Sequence, residues 1–150
     1  MKLALALTER SDLQKRLDQL EERLQSNALV QEGEEPAEAP ASLLTELDAL
    51  STRLEDLITR INLTNANTVA DGLSLTAWIA KRDCLTKKIR IVRRFLNTAS
   101  QTAMRSRGSE IKIRPTVTVR ELQKGLDDLS RELREIDARI QEANWSTDLL

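Results

Sequence analysis

Apolar residues recur at steps of three and four along four segments of this chain, the spacing that places side chains on one face of a helix. The pattern predicts helices at about residues 3–28, 42–63, 75–103 and 119–143. Similar lengths and one apolar stripe each favour a single all-α domain, an antiparallel four-helix bundle of long helices spanning residues 1–150. The alternative is a pair of long helical hairpins that complete their core only in an oligomer.

The composition requires an aliphatic core, because only 2% of the residues are aromatic. Charged residues make up 31% of the chain, and Gly and Pro are scarce, a profile typical of long helices or coiled coils. The absence of histidine removes the commonest general base and the commonest metal ligand. A lone cysteine, Cys84, excludes an intrachain disulfide. We therefore expect no enzymatic activity, no catalytic residues, no metal and no cofactor.

Three segments connect the helices. Residues 30–41 form an acidic, Pro-containing linker, after which Ser42 is a candidate N-cap. Asn and Thr residues between 62 and 68 compete for backbone hydrogen bonds and predict the end of the second helix. Asp71-Gly72 predicts a turn, and Ser74 or Thr76 the cap of the third helix.

Residues 109–118 change period, and their alternation predicts one short extended or β segment near 110–118. Pro115 confines such a strand to an edge or a bend. Because no second strand pattern exists, we expect the segment to pair with its copy in another subunit or to pack as an arm. The third helix also has apolar residues outside its main stripe. These features predict a homo-oligomer, with candidate contacts at Ile111, Ile113, Val117, Ile91 and Phe95.

Charge is unevenly distributed. Residues 81–120 contain 12 Lys and Arg against 2 acidic residues, a net charge of +10, whereas the rest of the chain carries −11. One interpretation is that acidic helices pack beside a basic one. The other is a surface that binds anions or the backbone of a nucleic acid, although the overall charge of −1 and the scarcity of aromatic residues argue against nucleic acid.

Two arginines interrupt the apolar stripes, Arg10 in the first helix and Arg82 in the third. In an up-down bundle both would lie in one layer, where unpaired guanidinium groups would cost several kcal/mol each. The layer is either a set of ion pairs that fixes register or a polar pocket for an anion or metal. Its candidate members, besides Arg10 and Arg82, are Asp83, Glu55, Asp56, Asn65, Asn67 and Asp137, with Glu9 as a further candidate partner.

The short apolar run at residues 1–8 ends at Glu9, so no signal peptide is expected. No window approaches the ~20 apolar residues that a membrane-spanning helix needs. We therefore expect a cytoplasmic protein without membrane insertion. Near the other terminus, Trp145, Leu149 and Leu150 are expected to fold back onto the apolar face.

Five runs in combination resemble the septicolysin-like family of small bacterial proteins, a domain of unknown function. The runs are residues 13–17 (LQKRL), 30–36 (VQEGEEP), 61–65 (INLTN), 109–112 (SEIK) and 140–145 (IQEANW). The resemblance implies a bacterial helical protein, and its label suggests a cytolysin.

Three functional hypotheses follow. The first is a non-enzymatic, self-assembling helical bundle that acts through protein–protein contacts. The second is binding of anions or nucleic-acid backbone through residues 81–120. The third, cytolysin-like membrane activity, is disfavoured because the sequence has few aromatic membrane anchors.

Overall fold

A computed structural model describes residues 1–101 and 111–150 of the protein. Over these ranges the chain is mainly helical with one small two-stranded antiparallel sheet, which confirms the predicted class. The elements are α1 (Leu3–Ser26), α2 (Pro40–Asn67), β1 (Val69–Ala70), β2 (Leu73–Ser74), α3 (Leu75–Ala99) and α4 (Val119–Ser146).

The chain divides into two compact units. The first contains residues 1–69 and 143–150, and the second contains residues 70–142. The single helical domain inferred from the sequence stays a prediction.

In the first unit, α1 and α2 run antiparallel and bury one leucine-rich stripe each. Their direction follows from the ion pairs, since Glu9 contacts Arg53 while Arg23 contacts Glu46. Buried side chains recur every seven residues along much of both helices, as expected for a narrow helix–helix seam. They are Leu3, Leu13 and Leu20 in α1, and Leu43, Leu50, Leu57 and Ile61 in α2.

Residues 143–150 complete this unit by contacting the start of α1. The backbone amide of Leu3 donates to the carbonyl of Thr147 over 2.9 Å. Leu149 is buried, as expected, whereas Trp145 and Leu150 each leave 60% of their surface exposed. The exposure of Trp145 and Leu150 contradicts their predicted return onto the apolar face, and for Leu149 this return stays a prediction.

Helix α2 is longer at both ends than the sequence predicts. It begins at Pro40, whose fixed φ suits the first helical position, so Ser42 is not the cap. It continues through the Asn/Thr segment, in which two side chains bond to carbonyls of the preceding helical turn. The Thr64 hydroxyl donates to the Arg60 carbonyl (2.8 Å), and the Asn67 amide donates to the helical carbonyl four residues back.

The core of the second unit lies between α3 and α4. Ser74 caps α3 by accepting a hydrogen bond from the Ala77 amide, as predicted. Trp78 is buried and donates through its indole nitrogen to the Ala70 carbonyl over 2.8 Å, which ties α3 to β1. The buried residues are Trp78, Leu85, Ile89 and Leu96 from α3 and Leu126, Ile136 and Ile140 from α4.

The short sheet lies at residues 69–74 and not in the segment that shows alternation. Asp71 and Gly72 have positive φ values of 49° and 81°, the backbone that a two-residue hairpin turn needs. Arg139 of α4 forms an ion pair with Asp71, in which Nη1 lies 3.0 Å from Oδ2. Its Cζ atom lies 5.1 Å from the centre of the Trp78 ring, and these two contacts connect the turn to α4 and α3.

Residues 111–118, predicted as a strand, form none. Ile111 and Ile113 are 78% and 46% exposed, so the apolar side of the alternating pattern is not buried against another strand. Residues 109 and 110 of this prediction lie outside the described residues.

Truncation of a residue in the α1–α2 seam tests this packing. Leu57 is fully buried, and we expect Leu57→Ala to lower the free energy of unfolding by about 3 kcal/mol through lost burial and a residual cavity. Denaturant titration followed by circular dichroism measures the change. The matched control is Leu44→Ala on the same helix, where the side chain is 51% exposed and the loss should stay below about 1 kcal/mol. Equal losses would contradict the assigned seam.

Candidate functional site

The apolar residues predicted to make oligomer contacts lie on the surface of the second unit. Ile91 and Phe95 leave 56% and 47% of their area exposed on α3, and Val117 is half-buried. Phe95 and Ile113 line the same open pocket of about 200 Å³. The structure thus brings together two of the predicted contacts that are 18 positions apart in the sequence.

Ile91 and Phe95 are exposed because they belong to a second stripe of α3. Its buried stripe faces the core of the second unit, whereas Cys84, Lys88, Ile91 and Phe95 follow one another at steps of four, three and four. Side chains at this spacing are neighbours on a helix surface, so the cationic Lys88 lies beside the apolar Ile91 and Phe95 on this face. We call the surface formed by Ile91, Phe95, Ile113, Lys88, Arg94 and Arg114 the basic apolar patch.

The patch contains three cationic side chains that are exposed to solvent. Lys88, Arg94 and Arg114 are exposed, and among residues 1–101 and 111–150 no ion pair joins them to a carboxylate. By contrast, Lys81 on the same helix pairs with Glu132 over 3.3 Å, and Arg82 pairs with its neighbour Asp83. Among the described residues, the positive charge of α3 is therefore paired with carboxylates near its beginning and is not paired with them near its end.

The first unit presents a surface of opposite charge, the acidic loop, which we define as residues 28–37. Leu29 and Val30 are 90% and 49% exposed, and Glu32, Glu34 and Glu35 are exposed as well. A tight turn shapes the loop, in which the Glu34 amide donates to the Gln31 carbonyl (3.0 Å) and Gly33 has φ +87°. Acidic and apolar side chains thus share one small loop.

Both ends of the acidic loop are anchored. The buried Asn27 side chain donates to the Arg23 carbonyl (2.8 Å) and accepts from the Glu38 backbone amide (2.9 Å). Arg23 also binds the Glu38 carboxylate through Nε at 3.0 Å, and Glu46 of α2 through Nη1 at 3.2 Å. The loop therefore leaves and rejoins the hairpin at fixed points.

The ion pair that anchors the loop shifts the pKa values of Glu38 and Arg23. The hydrogen bond from Arg23 holds the pKa of Glu38 below its ordinary value of 4.5, although desolvation opposes the shift. The same hydrogen bond raises the pKa of Arg23. Sequence reasoning missed Arg23, because alternating charges on α1 are typical of any solvated helix surface.

The predicted polar layer combines residues of both units and stays a prediction. Neither Arg10 nor Arg82 is in the buried class, so neither carries the desolvation cost that motivated the layer. Arg82 contacts Asp83 at 2.8 Å, one of the candidate partners.

The remaining candidates of the layer are distributed as follows. Glu9 and Asp56 both contact Arg53, a residue that is not among the predicted members of the layer. Arg53 Nη2 lies 2.6 Å from the Glu9 carboxylate, and Arg53 Nη1 lies 3.4 Å from the Asp56 carboxylate. Glu55, Asn67 and Asp137 are exposed, and Asn65 is half-buried.

Two further findings bear on the site. Within the described ranges, no group of Cys, Asp and Glu side chains has the arrangement of a metal site. None of the helices in the same ranges has a stretch apolar and long enough to cross a bilayer.

Comparisons with other proteins give a family and a structural relative. The profile of a family described as "Family of unknown function (DUF6847)" matches residues 10–149. A crystal structure of a functionally unknown conserved protein from Corynebacterium diphtheriae is similar over 100% of this chain and 99% of that one, with 40% sequence identity and a TM-score of 0.93. No curated protein matches the sequence.

Titration of Glu38 tests the loop anchor. Because its pKa is lowered in the folded state, its contribution to stability is present above pH 4.5 and is lost as pH falls through the folded-state pKa. We expect Glu38→Gln to be less stable than the natural protein at neutral pH, with a difference that shrinks in acid. Thermal unfolding between neutral and strongly acidic pH measures it. Glu22→Gln, on the exposed face of α1, is the control, and a gap that is independent of pH would refute the anchor.

Proposed function

The chain belongs to the DUF6847 family, a family of unknown function, and we propose that it is a non-enzymatic protein that self-assembles and acts through contacts with other protein chains. One observation carries the proposal: Phe95 and Ile91 are exposed on α3 beside Ile113, with which Phe95 shares a pocket. In a chain with 2% aromatic residues, one of the three aromatic side chains thus lies in the solvent-facing patch.

Exposed apolar groups that cluster have a different meaning from those that are scattered. Single exposed apolar residues are normal on protein surfaces, whereas contiguous patches rimmed by charged residues mark interaction sites. Ile91 and Phe95 are one turn apart, and Lys88 and Arg94 are within one turn of Ile91. An apolar centre with a charged rim is the composition of protein–protein interfaces.

The residue types of the sequence support a non-enzymatic role. The sequence contains no histidine, and its one cysteine, Cys84, lies exposed on α3. A cysteine nucleophile needs an adjacent base and a group that orients that base. Lys81, Lys87 and Lys88 are the neighbours of Cys84 on the helix.

A second candidate function is binding of anions or of nucleic-acid backbone through residues 81–120. Exposed Lys87, Arg90 and Arg93 extend the positive charge of the patch around α3, and no ion pair to a carboxylate is formed by these three within the described residues.

Cytolysin-like membrane activity, suggested by the septicolysin-like resemblance, is a third and disfavoured candidate, because interfacial anchoring relies on Trp and Tyr and the chain has two Trp and no Tyr.

Self-association is tested by light scattering coupled to gel filtration. We expect the natural protein to form an oligomer and Phe95→Ser to weaken it by at least about tenfold, because aromatic residues at the centre of an interface dominate its energy. Leu63→Ser is the matched control, since Leu63 is comparably exposed on α2 and lies outside the patch. A natural protein that remains monomeric at high concentration would refute the proposal.

Backbone binding is tested by fluorescence anisotropy with a labelled DNA duplex. If residues 81–120 bind nucleic acid, the affinity falls steeply with salt because bound cations are released. Replacement of Lys87, Arg90 and Arg93 by Gln should then weaken binding equally for all sequences, while Phe95→Ser leaves it unchanged. No binding at low salt would exclude this candidate.

A further inference from the structure

We propose that the acidic loop of one copy of this chain binds the basic apolar patch of a second copy. The inference deepens the proposed self-assembly and depends on it. It names the two surfaces that meet, which lie in different units of the chain and differ in sequence, charge and shape.

Charge argues first for this pairing. The basic apolar patch carries Lys88, Arg94 and Arg114 without compensating carboxylates among the described residues. Contact between two identical patches would place these cations against one another, and the repulsion between like charges opposes such an association. The occupant must therefore be acidic, and a second copy has a suitable acidic surface.

The acidic loop also matches the apolar part of the patch. Leu29 is 90% exposed, the highest exposure among the large apolar side chains of the described residues, and Val30 beside it is 49% exposed. The pocket between Phe95 and Ile113 has a volume of about 200 Å³, room for several waters at about 30 Å³ each and hence for one aliphatic side chain. Glu32, Glu34 and Glu35 follow Leu29 closely enough to reach the cations around such a pocket.

Anchoring lowers the entropic cost of binding. Asn27 and Glu38 hold the two ends of the loop, and the turn at Gly33 holds its middle. A segment that is already ordered loses less conformational freedom on association than a free linker does. This explains why an acidic, Pro-containing connection between α1 and α2 is tied to the hairpin by a buried asparagine and an ion pair.

Pairing of two different surfaces has a consequence for assembly. Each copy carries one loop and one patch, so the contact is heterologous, and it closes into a ring or a reciprocal dimer or continues as an open chain. The contact should weaken as salt increases, because the Debye length shrinks to about 3 Å at 1 M ionic strength.

Charge reversal on each surface tests the pairing. One variant carries Glu32→Lys, Glu34→Lys and Glu35→Lys, and the other carries Lys88→Glu, Arg94→Glu and Arg114→Glu. All six side chains are exposed, so folding should be retained, which circular dichroism checks. We expect each variant alone to associate at least about tenfold more weakly than the natural protein by sedimentation velocity. A single chain with all six reversals keeps the net charge of −1 and should regain the assembly.

A matched control separates specific contact from bulk charge. Asp12→Lys, Asp18→Lys and Glu21→Lys on α1 change the net charge as the loop variant does, at exposed positions outside the loop. This control should assemble as the natural protein does. If the natural protein assembles through Phe95 but the six-fold reversal does not restore association, the loop–patch contact is wrong and self-assembly stands. If the natural protein is monomeric, both proposals fail.

Discussion

Burial of one narrow aliphatic stripe per helix is the interaction on which this structure depends. Leu13 and Leu20 of α1, and Leu43, Leu50 and Leu57 of α2, are buried at intervals of seven residues. Each such side chain contributes about 1.5–3 kcal/mol when it is removed from water. Because only 2% of the residues are aromatic, apolar burial between α1 and α2 depends on these aliphatic side chains, and the faces outside the stripes are mostly exposed.

Helix α3 shows what this constraint implies for function. Its core stripe consists of Trp78, Leu85, Ile89 and Leu96, yet the helix carries a second stripe in which the exposed apolar residues Ile91 and Phe95 follow Lys88. A helix that is apolar on two faces needs two partners. The separation of +10 and −11 along the sequence gains a more specific meaning in this account, since the acidic loop and the basic apolar patch are exposed surfaces of opposite charge.

Much of the fold can be predicted from sequence because a helical stripe is a local signal, and helical periodicity placed all four helices. The prediction failed where tertiary contacts decide. Thr64 lies buried in α2, where its hydroxyl accepts a hydrogen bond from the Leu150 backbone amide (3.0 Å), and residues 111–118 alternate without forming a strand. Of the candidate site, the exposed apolar residues of α3 could be predicted, because they lie outside its stripe. The anchor formed by Arg23, Asn27 and Glu38 could not, because it joins residues across the loop whose types are ordinary on any helix surface.

Chemical cross-linking of the natural protein tests the central claim most directly. Equal amounts of unlabelled and ¹⁵N-labelled protein are mixed, treated with a carbodiimide that joins contacting amines and carboxylates, and digested for mass spectrometry. We expect cross-linked peptides of mixed isotope composition that join Lys88, or Lys112 beside Ile113, to Glu32, Glu34 or Glu35 of another copy. The claim would be contradicted if inter-copy cross-links formed only elsewhere, or if links to the acidic loop joined peptides of the same isotope alone.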